Sequence, residues 1–307
     1  MRIIVMGYHA IGCRCLKYLI EEKEHIVAIF THKDNPGENL FFDSMTELAR
    51  LHGIPCYMPE HINTHEWISL IEGLSPDVIF SFYYRNLVSR QILDIPRLGA
   101  INLHGSLLPE YRGRCPVNWV LVNGEKETGV TLHYMVEKAD AGDIIAQRKI
   151  PVLFDDTAYS LYKKTEKEAV TILDETLPLI KKGKNNRIPQ DLSRGTYFGG
   201  RKPDDGRIHW ERKNSEIYNL VRAVTHPWPG AFCFFREKKV FIWQCLPLSV
   251  NGHHKPGNLI SFDKEGIIAA AGKGTLLLKR CQIEGEEEKS GYEFAQTYVL
   301  REGEMFT

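Results

Sequence analysis

The alternation of short apolar runs with helical patterns in the first half of the chain is its strongest constraint. Ile3-Ile4-Val5-Met6 leads into a glycine-bearing turn through Gly12 and a helical pattern near residues 13–22. Further runs at Ile26–Phe30, Val78–Phe82, Ala100–Leu103, Val130–Met135 and Ile144–Ile150 have the length of buried strands. Helical patterns near 43–52, 64–73, 116–122 and 157–182 stand between or after them. Strands that alternate with helices in this way predict an α/β, doubly wound, mainly parallel sheet.

Between about Asn185 and Gly206 this pattern gives way to polar, glycine-rich sequence with prolines, which reads as a linker. Beyond it, one helical pattern at 214–224 precedes five strand-like runs: Ala231–Phe235, Lys239–Cys245, Gly257–Phe262, Ile267–Ala271 and Thr275–Ile283. Strands separated by short turns suggest a small β-barrel or sandwich. A length of 307 residues agrees with two domains, taken as 1–188 and 207–307 with a linker at 189–206.

Composition narrows the class. Lys plus Arg and Asp plus Glu number 39 each, so no net field draws a polyanion, and nucleic acid is not an expected partner. Seven cysteines, at 13, 15, 56, 115, 233, 245 and 281, include no C-x-x-C pair and read as reduced thiols. The N-terminal apolar run is too short for a signal peptide, and no stretch approaches the roughly 20 apolar residues of a membrane span. A cytoplasmic chain without membrane insertion is the expectation. His25, His52, His61 and His65 lack ligand companions, so no metal is expected, and His253-His254 would bind one only adventitiously. The Glu286-Glu287-Glu288 run reads as solvated charge. Gly7 to Gly12 lacks the G-x-G-x-x-G spacing of a dinucleotide loop.

Chemistry concentrates in Asn102-Leu103-His104-Gly105-Ser106-Leu107-Leu108-Pro109, where a strand opens into a loop. Strand side chains alternate faces, so Asn102 and His104 point the same way at the strand's carboxyl end, the edge where open α/β sheets bind ligands. Taken alone, His104 reads as a core histidine satisfied by backbone, Asn102 as a turn former and Asp140, in Lys138-Ala139-Asp140-Ala141-Gly142-Asp143, as a turn cap. Together they would supply a base, an oxyanion donor and a carboxylate that favours the charged imidazole, which is what acyl transfer to an amine requires. Tyr83, Tyr84 and Arg85 end another strand, and aromatics beside an arginine suit a nucleotide base and phosphate as readily as they suit packing.

The segment INLHGSLLPEYRGRCPVNWVLVNGEKETGVTLHYM with the later KADAGDII resembles the folate-dependent formyltransferases, which include methionyl-tRNA and sugar formyltransferases. FTHKDNPGE at 30–38, SPDVIFSFYYR at 75–85, GGRKPDDG at 199–206 and HPWPGAF at 226–232 resemble the formyltransferase half of the bifunctional polymyxin-resistance enzyme, which modifies UDP-4-amino-4-deoxy-L-arabinose for lipid A. The likeness runs to about residue 245. It implies a Rossmann-like domain followed by an OB-like one, and 10-formyltetrahydrofolate as co-substrate. It implies a catalytic trio of Asn102, His104 and Asp140, with folate held by Asn86, Leu87, Val88, Arg114 and the loop Val136, Glu137, Lys138, Ala139 and Asp140. The implied partner is a nucleotide sugar.

No segment of the 307 residues resembles the decarboxylase half of the bifunctional enzyme, so that half's chemistry and oligomer are not carried over. Other UDP- or dTDP-amino sugars, methionyl-tRNA and water remain alternative acceptors. The stretch Thr31–Phe42 is short and not basic, which disfavours tRNA. The sequence leaves the exact sugar and the oligomeric state open.

Overall fold

A computed structural model describes residues 1–34, 43–249 and 254–307. Residues 35–42, which cover the end of FTHKDNPGE and most of Thr31–Phe42, lie outside the described residues, as does His253. The chain divides into two compact units. The first comprises Met1–Pro116, Glu127–Pro151 and Tyr162–Gly199, and the second Val117–Lys126, Val152–Leu161 and Gly200–Thr307. The division is therefore not one cut: two short segments from the first half of the chain group with the C-terminal residues.

In chain order the first unit contributes β1 (Arg2–Gly7), α1 (His9–Glu21), β2 (His25–Phe30), α2 (Met45–Leu51), β3 (Cys56–Tyr57), α3 (His65–Leu74), β4 (Val78–Phe82), α4 (Arg90–Leu93), β5 (Ala100–His104) and β6 (Arg112–Gly113). After α5 (Pro116–Val122) come β7 (Glu127–Tyr134), β8 (Ile144–Pro151), α6 (Ala158–Lys181) and β9 (Tyr197–Phe198). Seven strands form one sheet in the order β3-β2-β1-β4-β5-β7-β8. The pairs from β3 to β5 are parallel, whereas β7 runs antiparallel to both β5 and β8. The apolar runs of β1, β2 and β4 are buried along almost their whole length, as expected where helices cover both faces.

One register decides the geometry of the site. β5 and β7 pair Asn102 with His133 and His104 with Thr131. Cross-strand partners share a face, so β7 delivers a second histidine beside Asn102.

Residues 189–206, read from sequence as a linker, do not form a free strand of chain in their first half. Ile188 exchanges two backbone hydrogen bonds with Ile144, and β9 pairs in parallel with β6. Composition missed this because a two-residue ladder carries no period. Gly113 in β6 has φ +99, and a Cβ there would collide with the Phe198 carbonyl oxygen, so only glycine admits this pairing.

The second unit holds α7 (Asn214–Val224), β10 (Ala231–Phe235), β11 (Lys238–Leu248), β12 (Leu259–Asp263), β13 (Gly266–Ala270), β14 (Thr275–Ile283), β15 (Lys289–Ser290) and α8 (Gly291–Thr297). Its six-stranded antiparallel sheet runs β10-β11-β14-β13-β12, with β15 on β14. The terminal residues join its two edges: Thr307 and Phe234 exchange backbone hydrogen bonds, while Phe306 N donates to Gly257 O and Leu259 N to Glu304 O. The glutamate run is not simply solvated. Glu288 accepts from Arg280 and lies 3.0 Å from His226 Nε2, and Glu286 accepts from Tyr298. No helix among the described residues is long and apolar enough to cross a membrane.

Candidate active site

Asn102, His104 and Asp140 are brought together. His104 is 6% exposed, and its Nε2 lies 2.7 Å from the Tyr111 carbonyl oxygen. A carbonyl can only accept, so Nε2 carries the hydrogen and Nδ1 is left as the basic nitrogen. Nδ1 faces Asp140 Oδ1 at 3.5 Å. The other carboxylate oxygen accepts from Gly113 N at 2.9 Å. Burial pushes the Asp140 carboxyl up, but the pull of the His104 and His133 rings in their protonated forms, together with the Gly113 amide, outweighs burial and holds it well below the usual carboxylate range. Asp140 is ionised.

His133, which sequence reasoning missed, is 1% exposed. Its Nδ1 lies 2.8 Å from Tyr134 O, which fixes Nε2 as the acceptor. The Asn102 amide donates to that Nε2 at 3.1 Å and to Asp140 Oδ1 at 3.4 Å. The amide's hydrogens are thus directed at two groups of the site. The only sequence signal for His133 was its place in a strand, and the 31-residue separation from Asn102 hid the partnership.

The loop between His104 and β6 is pinned. Thr131 Oγ1 donates to Ser106 O at 2.7 Å and accepts from Leu108 N and from Gln147 Nε2. Gly105 leaves room for the Tyr83 hydroxyl, which a Cβ would overlap.

Tyr83, Tyr84 and Arg85 do not act as one group. Tyr83 has φ +61, and its hydroxyl is buried against Gly105 with no hydrogen-bond partner among the described residues, so desolvation pushes that hydroxyl above its ordinary range. Tyr84 instead stacks on His32 with centroids 4.4 Å apart. Arg85 lies over the Tyr8 ring at 4.5 Å, its Nη2 reaches His9 Nε2 at 3.1 Å, and its backbone N–H donates to His32 Nε2. Tyr8 and His9 start α1, so Arg85 stands at that helix's N-terminus.

Of the segments implied to hold folate, Val88 is buried in a cluster with Ile92 and Leu93, and Met135 packs against the same cluster. The two segments 86–88 and 136–140 therefore flank common ground. Leu87 and Val136 are exposed at 67% and 46%. Asn86 Nδ2 donates to Glu60 O, Glu137 and Lys138 are exposed, and Ala139 is half-buried. Arg114 is exposed and its amide donates to Phe198 O. Among the described residues, no group of three or more His, Cys, Asp or Glu could hold a metal ion.

Comparison with known proteins defines the class as a formyl-transferring enzyme. Residues 1–177 match the family described as Formyl transferase, and residues 201–299 the one described as Formyl transferase, C-terminal domain. The chain belongs to the formyl transferase family. The N-formyltransferase from Helicobacter canadensis, solved with folinic acid and dTDP-3-aminofucose, is similar with a TM-score of 0.70 at 19% identity, over 90% of this chain and 98% of that one. WlaRD, a sugar 3N-formyl transferase solved in the presence of dTDP and 5-N-formyl-THF, has a TM-score of 0.69 at 20% identity, over 94% and 99%. HypX from Aquifex aeolicus, in complex with tetrahydrofolic acid, gives 0.63 at 18% identity, and this chain spans 50% of its length. At these identities the likeness is one of fold.

The His32 ring offers a check on the Arg85 cluster. Burial first, and then Arg85, push it down from 6.5 to about 4. Between those values the unfolded chain binds a proton that folded His32 refuses, so the contribution to stability is lost as pH falls from 6.5 towards 4. An NMR titration of the native protein should place the His32 midpoint near 4, and Arg85→Ala should raise it while burial keeps it below 6.5. A native midpoint at or above 6.5 would contradict the cluster as described.

Proposed function

We propose that the chain transfers the formyl group of 10-formyltetrahydrofolate to the 4-amine of a nucleotide-linked amino sugar, with UDP-4-amino-4-deoxy-L-arabinose as the acceptor. The observation that carries this reading is the ionised Asp140 carboxylate 3.5 Å from Nδ1 of a buried imidazole whose other nitrogen is tied to a carbonyl. When an amine attacks a formyl carbon, a new C–N bond forms and the bond from that carbon to the donor nitrogen breaks. One proton leaves the amine and one reaches the leaving nitrogen, so the exchange is balanced. His104 Nδ1 is the basic atom for the first proton, and Asp140 stabilises the imidazolium that results. Asn102 would turn one N–H, otherwise directed at His133 Nε2 or Asp140 Oδ1, onto the oxyanion.

The donor supplies the formyl carbon, and Asn86–Val88, Arg114 and residues 136–140 would hold it. The exposed apolar Leu87 and Val136 suit a flat ring system, and Arg114 forms no ion pair among the described residues, which suits an anionic tail. Arg85 at the N-terminus of α1 suits a diphosphate, where helix N–H groups and a guanidinium add. Tyr84 and Tyr8 offer aromatic faces beside it. Tyr83, with its hydroxyl against Gly105, supports the loop after His104 rather than the nucleotide. Residues 1–188 would carry donor, acceptor and chemistry, and 207–307 a separate OB-like domain.

A second reading, a dTDP-linked 3-amino sugar as acceptor, is favoured by the ligands named for the Helicobacter canadensis enzyme and WlaRD. A panel of UDP- and dTDP-amino sugars incubated with the formyl donor and read by product mass separates the two. Formylation of the UDP 4-amino sugar alone supports the first reading, and formylation of dTDP sugars alone overturns it.

Two substitutions test the residues. Asp140→Asn should lower kcat about 10²-fold, and adding it to His104→Ala should cost scarcely more than His104→Ala alone. Additive losses would give Asp140 a role independent of His104. Arg85→Ala should raise the acceptor KM more than it lowers kcat, and an unchanged KM would remove Arg85 from the nucleotide site.

A further inference from the structure

Asp140 stands at φ +52, a left-handed conformation uncommon outside glycine, though aspartate adopts it more readily than most residues. The group that holds this turn is Gln190. Its Nε2 donates to Asp140 O at 3.1 Å and to Gly142 O at 2.6 Å, clamping the turn from both sides. Gln190 Oε1 is buried without a partner among the described residues, so the amide's hold rests on its two donors.

The same run of chain reaches His104 by another route. Thr196 Oγ1 accepts from Tyr111 N at 2.8 Å, and Thr196 O accepts from Arg112 N at 3.0 Å. Phe198 O accepts from Arg114 N, and the Phe198 ring stacks on Tyr111 with centroids 5.0 Å apart. Tyr111 and Gly113 both take a positive φ, +56 and +99, so the backbone departs from regular strand alternation here. With Arg112 and Arg114 paired to residues 196–198, Tyr111 O meets His104 Nε2 and Gly113 N donates to Asp140 Oδ2. Ile188, bonded to Ile144, anchors the start of the run.

We infer that residues 188–198 form a strap that sets the geometry of the His104–Asp140 pair, with Gln190 and Thr196 as its positioning residues. Gln190 fixes the turn that carries the carboxylate. Thr196 fixes the strand whose carbonyl selects the His104 tautomer and whose amide receives Asp140. Neither side chain touches a reacting atom in this scheme. The inference rests on the proposed role of the pair in formyl transfer, and its test has a readout that needs no turnover.

Gln190→Leu removes both donors. Thr196→Val keeps the shape and removes the acceptor, and Thr196→Ser restores it. In the full-length protein two quantities are followed: hydrogen exchange at the Gly113 amide, and kcat and acceptor KM per folded molecule. Gln190→Leu and Thr196→Val should each speed Gly113 exchange about tenfold or more and lower kcat about tenfold, with acceptor KM within about twofold. Thr196→Ser should behave as the unsubstituted protein. In an Asp140→Asn background, Gln190→Leu should cost little further activity.

Folded variants with unchanged Gly113 exchange and unchanged kcat would overturn the strap. So would variants that lose the native fold altogether, since the segment would then be a folding element. A protein that formylates no amine in the panel would sink the functional reading instead, and the exchange measurement would still decide the positioning.

Discussion

Two backbone groups at one short strand govern the site. The Tyr111 carbonyl, just before β6, and the Gly113 amide, within it, engage His104 Nε2 and Asp140 Oδ2. The first interaction leaves Nδ1 as the basic atom, and the second helps keep Asp140 ionised although burial opposes its charge. The neighbouring chain holds these two groups in place. The loop from Ser106 to Tyr111 is pinned by Thr131 and Gln147 from β7 and β8, and β6 is paired with residues 196–198. A carboxylate and an imidazole so held are already arranged for the charged state that proton uptake creates, and little reorganisation remains for the reaction.

Much of the fold was legible because apolar period is a local property. Helix 214–224 and the strands Val78–Phe82, Ala231–Phe235 and Thr275–Ile283 begin and end where the sequence suggests. Asn102 and His104 were found by the same logic, since side chains two apart on a strand share a face. His133 was not, because its place beside Asn102 is set by the register of β5 on β7, and register is a long-range choice. Asp140 could be suspected only by resemblance: its loop must fold back across the sheet, and nothing in a turn-rich sequence says which way it turns. α8 was readable and passed over, for Ser290 and Glu293 form a capping box at its start.

Tyr83 shows where alternation fails. A strand that ended regularly would have kept Tyr83 and Arg85 on one face. The left-handed φ at Tyr83 breaks the alternation at the strand's last step, sending its hydroxyl to Gly105 while Tyr84 and Arg85 join His32, His9 and Tyr8. The strap was missed for a related reason. Its polar, glycine-rich composition describes a segment without period, yet its backbone and side-chain groups are largely paired, through bonds that a sequence does not display.

The central claim is that His104 offers Nδ1 as its base because Nε2–H is committed to Tyr111. Nitrogen-15 NMR of the labelled imidazole tests it directly, since the two ring nitrogens of a neutral histidine differ according to which one carries the proton. In its neutral form, His104 should show a protonated Nε2 and a bare Nδ1, and the Nε2 proton should be protected from exchange. A neutral ring with its proton on Nδ1, donating to Asp140, would contradict the account, for the base would then be Nε2 and His104 would not donate to the Tyr111 carbonyl.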